Sequence, residues 1–257
     1  MKSLQEIPSD RGSNPRRPTR RGPLDPFRNP ARKEVNQMSK VAGADEAGRG
    51  CVIGPLVMGL FSVDSAKQTE LTKIGAKDSK LLTPKQREEL DKVLRTMGEN
   101  ELVEISAEEI TMWMEKKVSL NEVEAMKLAE AILRLEKRGI HPEEVYVDSP
   151  DPQPQKYAQR ILRYYSGNAR IHSSNHAEGK WPPVAAASIL AKVRRDKRIE
   201  EIKEKVGVDF GSGYSSDPQT REYLEKHHRE PALQPFLRHK WETVKRLAIK
   251  QKKLGEF

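Results

Sequence analysis

The most constraining feature of this sequence is an acidic pair placed between a strand-like run and a glycine turn. Residues 41–44 read Val-Ala-Gly-Ala, Asp45 and Glu46 follow, and residues 48–50 form a Gly-Arg-Gly turn. Carboxylate oxygens are the ligands that Mg²⁺ and Mn²⁺ prefer. Glycines beside them let the backbone approach a bound molecule closely, because no Cβ stands in the way. The segment therefore predicts a site at a strand end where carboxylates hold a hard cation.

Strand-like and helical patterns alternate from residue 41 to residue 206. Apolar runs predict strands at 41–44, 52–63, 102–105, 145–147 and 169–173, with the first two as antiparallel neighbours. Apolar faces of helical period predict helices at 84–95, 119–136, 157–165 and 183–206. Capping pairs support two of these helices, namely Thr83 with Gln86 and Ser119 with Glu122. The pattern predicts an α/β fold in which helices flank a mixed sheet.

Basic residues are concentrated at the two ends of the chain. Residues 1–40 hold ten Lys/Arg against four Asp/Glu and include six prolines, and residues 237–257 hold seven against two. The whole chain has a net charge of +9, so the segment between these ends is slightly acidic. Low hydrophobicity combined with net charge predicts a flexible tail at 1–40, which either contacts nucleic acid electrostatically or is only solvated.

Cysteine content and hydropathy restrict the class of protein. The single cysteine, Cys51, excludes an intramolecular disulfide and a cysteine-based zinc site, and it favours a reducing compartment. No apolar run reaches the roughly 18 residues of a membrane span. The N-terminus also has no apolar segment typical of a secretory signal. We therefore expect a cytoplasmic protein without a membrane span.

Two further carboxylates follow or precede predicted elements. Asp148 stands at the carboxyl end of the 145–147 strand, and Glu178 precedes the helix that begins at residue 183. If the two strands are neighbours, Asp45, Glu46 and Asp148 converge, and their mutual repulsion favours a bound divalent cation. Glu178 is available as a fourth ligand, and such a set suits two metal ions about 4 Å apart. Taken singly, an Asp-Glu pair is more often a solvated turn, and a residue such as Asp148 is more often a strand-end cap than a ligand.

Four motifs, in order along the chain, resemble the signature of the ribonuclease HII family. They are Asp45-Glu46-Ala47-Gly48-Arg49-Gly50; Asp78-Ser79-Lys80 followed by Leu82-Thr83-Pro84; residues 186–193 with Arg195-Asp196; and Gly211-Ser212-Gly213-Tyr214 with Ser216-Asp217-Pro218. The resemblance extends from about residue 41 to about residue 247. It implies a ribonuclease H-like mixed sheet flanked by helices, with a C-terminal helical region.

The resemblance also implies an activity and a domain organisation. The family cleaves the RNA strand of RNA–DNA hybrids and single ribonucleotides embedded in duplex DNA, leaves 3′-hydroxyl and 5′-phosphate ends, and needs Mn²⁺ or Mg²⁺, here expected as two ions. We expect a monomer with a flexible basic tail at 1–40, a catalytic domain at 41–206, and a C-terminal helical region at 207–257. Some relatives bind a sliding clamp through a C-terminal peptide, but residues 251–257 lack the paired aromatic residues of such a peptide.

Site residues carry over by position in the motifs. Asp45, Glu46 and Asp148 match the first three acidic ligands, and Glu178 falls where many members have an aspartate. The expected substrate contacts come from the backbone of the Gly-Arg-Gly turn, the ring and hydroxyl of one tyrosine, and two phosphate-binding lysines. These residues are Gly48, Arg49, Gly50, Tyr214, Lys80 and Lys192.

Two alternatives to this interpretation stay open at the level of sequence. One is another nuclease of the same superfamily, such as a Holliday-junction resolvase or a ribonuclease HI-like enzyme that is limited to long hybrids. The other is a non-catalytic nucleic-acid-binding protein, which the sequence pI of about 9.5 and the two basic ends favour. The clustered acidic residues argue against a pure binding protein, because a binding surface for phosphates favours Lys and Arg.

Overall fold

A five-stranded sheet is the centre of the fold in the computed structural model, which describes residues 39–76 and 79–247, with only the backbone of Lys80. The strands are β1 (Lys40–Ala47), β2 (Leu56–Asp64), β3 (Glu99–Ile105), β4 (Pro142–Asp148) and β5 (Arg170–Ser174). The helices are α1 (Gln68–Lys73), α2 (Pro84–Met97), α3 (Ala107–Glu115), α4 (Leu120–Lys137), α5 (Pro154–Tyr164), α6 (Pro182–Val206) and α7 (Pro218–His227). The predicted tail at 1–40 lies outside the described residues except for its last two, and Lys40 begins β1.

The sheet is mixed, as predicted, with the strand order β3-β2-β1-β4-β5. Strand β1 is antiparallel to β2 and parallel to β4, while β4 is parallel to the edge strand β5. The parallel pairing of β1 with β4 sets Ala44 opposite Val147. Asp45 and Asp148 follow these two residues directly, so the register places both carboxylates at the same edge of the sheet.

Two layers of helix cover the two faces of the sheet. Because side chains alternate along a strand, Val41 of β1 packs on the α6 side, whereas Ala42 and Ala44 pack on the α4 side. The α4 side also includes Val123, Leu128 and Ile132, and the predicted apolar face of this helix is confirmed. No helix within the described ranges is long and apolar enough to cross a membrane.

The second half of α6 supports the C-terminal region. A separate cluster joins Ile199 and Ile202 of α6 to Val52 and Ile53 and to side chains of the C-terminal region, among them Phe210, Tyr223, Leu224, Leu233 and Leu237. The predicted helix at 183–206 is confirmed as Pro182–Val206, and the loop that follows it brings residues 211–214 back to the Gly-Arg-Gly turn. One long helix therefore connects the sheet to the C-terminal region.

Most predicted elements are confirmed within a few residues, but three features differ. Strand β2 begins at Leu56 rather than at residue 52, because residues 52–54 pair instead with the C-terminal region: the Val52 amide donates to Gly213, and the Gly54 amide donates to Phe236. Helices α1 and α3 were not predicted. Helix α3 has a local signal, since the side chain of Ser106 caps the amide of Glu109.

Glycine at position 43 lets α6 approach β1. A Cβ atom at Gly43 would lie 2.1 Å from the carbonyl carbon of Pro183, which belongs to the backbone and cannot rotate away. We expect Gly43→Ala to lower the free energy of unfolding by about 3 kcal/mol, measured by urea denaturation. Gly179→Ala is the control, because a Cβ there has no heavy atom within 4 Å. Equal unfolding midpoints for the two variants would contradict the tight approach.

Candidate active site

The four predicted carboxylates line one cavity of about 290 Å³ at the edge of the sheet. Asp45 and Glu46 lie near the end of β1, Asp148 is the last residue of β4, and Glu178 lies in a 3₁₀ turn that precedes α6. The cavity is also lined by Gly48, Arg49, Gly50, Ser79, Ser188, Lys192 and Tyr214. Nine of the ten predicted site residues therefore meet here, and the side chain of the tenth, Lys80, lies outside the described part.

Burial and mutual repulsion dominate the electrostatics of this cavity. Asp45 is only 6% exposed, and its pKa is raised well above the usual range by burial first and then by the charges of Glu46 and Asp148. The pKa of Glu46 is raised to about 8, chiefly by burial and then by the charge of Glu124. Glu46 therefore retains its proton near neutral pH when no cation neutralises it, and the pKa of Asp45 is shifted in the same direction.

The donor set suits a hard divalent cation. All four side chains offer oxygen ligands, and a cation would relieve the repulsion that, after burial, raises the pKa of Asp45. Across residues 39–76 and 79–247, no three His, Cys, Asp or Glu side chains are already arranged to hold a metal ion. Asp148 accepts a hydrogen bond of 2.6 Å from the Ala177 amide.

Ser188 connects the cavity to the loop of the second motif. Its hydroxyl lies 2.9 Å from that of Ser79 and donates to Glu178 over 3.4 Å. Both serines are buried. Lys192, one turn farther along α6, is half-buried, and burial lowers its pKa. Helix α6 therefore contributes a hydroxyl and an ammonium group to the same cavity.

The side chain of Arg49 is held by a buried carboxylate that the sequence did not indicate. Nη1 of Arg49 donates to Glu124 over 3.3 Å, and Nη2 donates to Asn121 over 2.5 Å. Glu124 is fully buried within α4, and burial raises its pKa to about 7 against the opposing charges of Arg49 and Arg238. Its position beside apolar residues of a core helix gives no local signal of a polar role.

Tyr214 lies directly against the Gly-Arg-Gly turn. It forms an isolated bridge with Cys51, and the guanidinium of Arg195 lies over its ring at 4.7 Å from the centroid. Arg195 is buried and also donates to the Cys51 sulfur and to the carbonyl of Ser212. Burial, followed by the effect of Cys51, raises the pKa of Tyr214 to about 12, so its hydroxyl keeps its proton at neutral pH.

Comparison with known proteins places this arrangement in a family. Residues 42–244 match the family model described as Ribonuclease HII. The chain belongs to the ribonuclease HII family. It is 42% identical over 216 residues to the ribonuclease HII of Pyrococcus abyssi, a match that covers 83% of this chain and 93% of the relative. Family membership makes the chain a type 2 ribonuclease H, a hydrolase, and excludes the alternative of a non-catalytic binding protein.

Solved structures agree with this assignment. The ribonuclease H2 of Pyrococcus horikoshii superposes with a TM-score of 0.72 at 40% identity, covering 83% of this chain and 99% of that one. The ribonuclease HII of Archaeoglobus fulgidus, solved as a complex with PCNA, gives a TM-score of 0.70 at 41% identity, covering 79% of this chain and 95% of that one. The ribonuclease H-like mixed sheet expected from the sequence is thereby confirmed.

Asp217 holds the loop that carries Tyr214. Its carboxylate accepts hydrogen bonds from the amide and the hydroxyl of Ser212, at 2.6 and 2.7 Å, and from the amide of Gln219 at 3.0 Å. These bonds, led by the one from the Ser212 amide, lower the pKa of Asp217 to about 2. The bond from Gln219 caps α7, and the two bonds from Ser212 stabilise the tyrosine loop.

We expect Asp217→Ala to destabilise the protein by about 1 kcal/mol at neutral pH, because the cap is lost. A carboxyl whose pKa falls on folding stabilises the folded state fully above its unfolded pKa of about 4. That contribution is lost as the pH falls through the folded value of about 2. The difference between wild type and variant should therefore shrink from pH 4 to pH 2 in urea unfolding. Glu225→Ala, at an exposed site on α7, is the control, and a difference independent of pH would contradict the assignment.

Proposed function

We propose that this enzyme cleaves the RNA strand of RNA–DNA hybrids and also cuts at single ribonucleotides embedded in duplex DNA, leaving 3′-hydroxyl and 5′-phosphate ends. One observation carries the proposal. The cavity that gathers four carboxylates is also lined by the Gly-Arg-Gly turn and by Tyr214. A single site therefore contains groups suited to phosphodiester hydrolysis together with groups suited to recognising a sugar.

The proposed cofactor is Mn²⁺ or Mg²⁺, as two ions held by Asp45, Glu46, Asp148 and Glu178. When bound, such ions stabilise the charge that develops on the phosphate and make water a better nucleophile. The role of the protein is to keep these carboxylates at one edge of the sheet although burial raises the pKa of Asp45 and Glu46. Ion binding should accordingly release protons, because a cation favours the charged carboxylates.

Sugar recognition is assigned to the turn and the tyrosine. The 2′-hydroxyl is the group that distinguishes a ribonucleotide from a deoxyribonucleotide at a given position. Backbone groups of residues 48–50 can approach it closely, since glycines at both ends carry no side chain. The ring of Tyr214 offers a stacking surface, and its protonated hydroxyl, which now contacts the Cys51 thiol, offers a donor. Lys80 and Lys192 are assigned to phosphates, which fix position rather than sequence.

The decisive assay uses a DNA duplex that contains one ribonucleotide, with the cut position mapped in the presence of Mn²⁺ or Mg²⁺. We expect wild type to cut it, and Asp45→Asn and Asp148→Asn each to abolish cleavage while binding of the duplex is largely kept. The reason is that each substitution removes a charged ligand from the cavity. Glu143→Gln, at an exposed site on β4, is the control and should keep full activity.

Two outcomes of this assay would refute parts of the proposal. Continued turnover by both the Asp45 and the Asp148 variants would reject the assigned carboxylate site. Cleavage of long hybrids without cleavage of the single-ribonucleotide duplex would reject the part of the proposal that concerns embedded ribonucleotides.

The contribution of Tyr214 is tested by a pair of substitutions. We expect Tyr214→Ala to lower kcat/KM on the single-ribonucleotide duplex by roughly tenfold to a hundredfold, because aromatic stacking on a nucleotide is worth about 1–3 kcal/mol. Tyr214→Phe keeps the ring and should keep much more of the activity. Equal losses in the two variants would assign the role to the hydroxyl rather than to the ring.

Clamp binding is not part of this proposal. The relative from Archaeoglobus fulgidus was solved with PCNA, but residues 251–257 of this chain lack paired aromatic residues and lie outside the described residues.

A further inference from the structure

We propose that Arg238, in the C-terminal region, is the positioning residue that orients the Gly-Arg-Gly turn for ribose recognition. The inference rests on the proposed function of the turn. It assigns the specificity of the turn for ribose partly to a residue that does not line the cavity. The sequence motifs did not indicate Arg238, which lies 190 residues along the chain from Gly48.

Arg238 is the largest fully buried side chain in the described structure. Its guanidinium donates three hydrogen bonds to backbone carbonyls: to Gly48 at 2.7 Å, to Arg49 at 2.8 Å and to Gly54 at 3.0 Å. The ring of Trp241 also lies against it, with its centroid 4.9 Å from the guanidinium carbon. Burying a guanidinium is unfavourable unless its N–H groups donate hydrogen bonds. Here three of the five N–H groups donate to carbonyls of the turn and of the segment that follows it.

These bonds determine the direction of two peptide groups. In a trans peptide the carbonyl and the N–H of the same unit point in opposite directions. Because the carbonyls of Gly48 and Arg49 point toward Arg238, the amides of Arg49 and Gly50 point away from it. The turn lines the carboxylate cavity and Arg238 does not. Arg238 therefore presents these two N–H groups on the side where a substrate would lie.

The turn needs such an external constraint. Gly48 has a φ of +86°, which is only one of the many backbone conformations that glycine can adopt. Gly50 is exposed. The turn itself makes one hydrogen bond, from the Cys51 amide to the Gly48 carbonyl at 3.2 Å, and its glycines add little further conformational preference. Arg238 is in turn fixed by backbone pairing, since its amide donates to Val52 at 2.9 Å and Leu237 bridges to Ile53. The C-terminal region thus acts on the turn through the fixed side chain of Arg238 as well as through Tyr214.

Lysine cannot replace this arginine in the proposed role. A guanidinium is a planar fork that donates in several fixed directions, whereas an ammonium group is a compact point charge on a flexible stem. Arg238→Lys keeps the positive charge but should lose at least one of the carbonyl contacts. This variant therefore separates the effect of hydrogen-bond geometry from the effect of charge.

The test measures sugar discrimination in the cleavage-deficient Asp45→Asn background. The quantity is the ratio of the Kd for an all-DNA duplex to the Kd for the same duplex with one ribonucleotide. We expect Arg238→Lys to lower this ratio by about tenfold, the equivalent of roughly one hydrogen bond, while the affinity for all-DNA duplex stays within about twofold. Arg246→Lys, at a side chain 80% exposed in the same region, is the matched control and should leave the ratio unchanged.

Three outcomes would overturn the inference or its premise. An unchanged ratio in a folded Arg238→Lys variant rejects the positioning role. A parallel loss of both affinities together with a lower Tm assigns Arg238 to stability alone. If the Asp45→Asn protein shows no preference for the ribonucleotide duplex and wild type does not cut that duplex, the proposed function itself is rejected. This outcome is therefore distinguished from a failure of the Arg238 inference alone.

A second measurement does not depend on any substitution of Arg238. Amide resonances of Arg49 and Gly50 are followed by NMR in the Asp45→Asn protein during titration with each duplex. We expect both amides to shift with the ribonucleotide duplex and to shift much less with the all-DNA duplex. Identical shifts with the two duplexes would reject the inference even if the Arg238 variants fail to fold.

Discussion

Carboxylates held together at a buried strand end repel one another, and the rest of the structure is arranged around that repulsion. Asp45 and Asp148 are brought to the same edge because β1 and β4 are parallel neighbours. Burial and like charges raise the pKa of Asp45, so the site is unfavourable unless a proton or a cation neutralises it. A rigid sheet and tightly packed helices provide the structural support for this arrangement.

Helix α6 connects the carboxylate site to the rest of the molecule. Its first turns lie directly against β1 and β2, where Gly43 and Gly59 leave no room for a Cβ atom. Its middle supplies Ser188 and Lys192 to the cavity, and Arg195 to the ring of Tyr214. Its last turns support the C-terminal cluster. Displacement of this helix would therefore disturb the carboxylates and the sugar-reading groups together.

Local patterns predicted the elements whose signals lie close together in sequence. Helix α2 begins at the capping box of Thr83 and Gln86, and α4 begins after Ser119, whose side chain accepts from the amide of Glu122. The start of β2 was wrong because the backbone of residues 52–54 pairs with residues far along the chain. Helix α1 spans only six residues, which is too short for an apolar period to be distinguished.

The sequence by itself determined the alternating strands and helices, the acidic residues at their ends and the likeness to a nuclease family, because these depend on residue type and short spacing. Only the tertiary structure decided which residues share the cavity and which side chains hold the turn. Glu124 and Arg238 gain their roles from burial beside Arg49 and beside the carbonyls of the turn. Such long-range contacts depend on packing, which leaves no periodic trace in the chain.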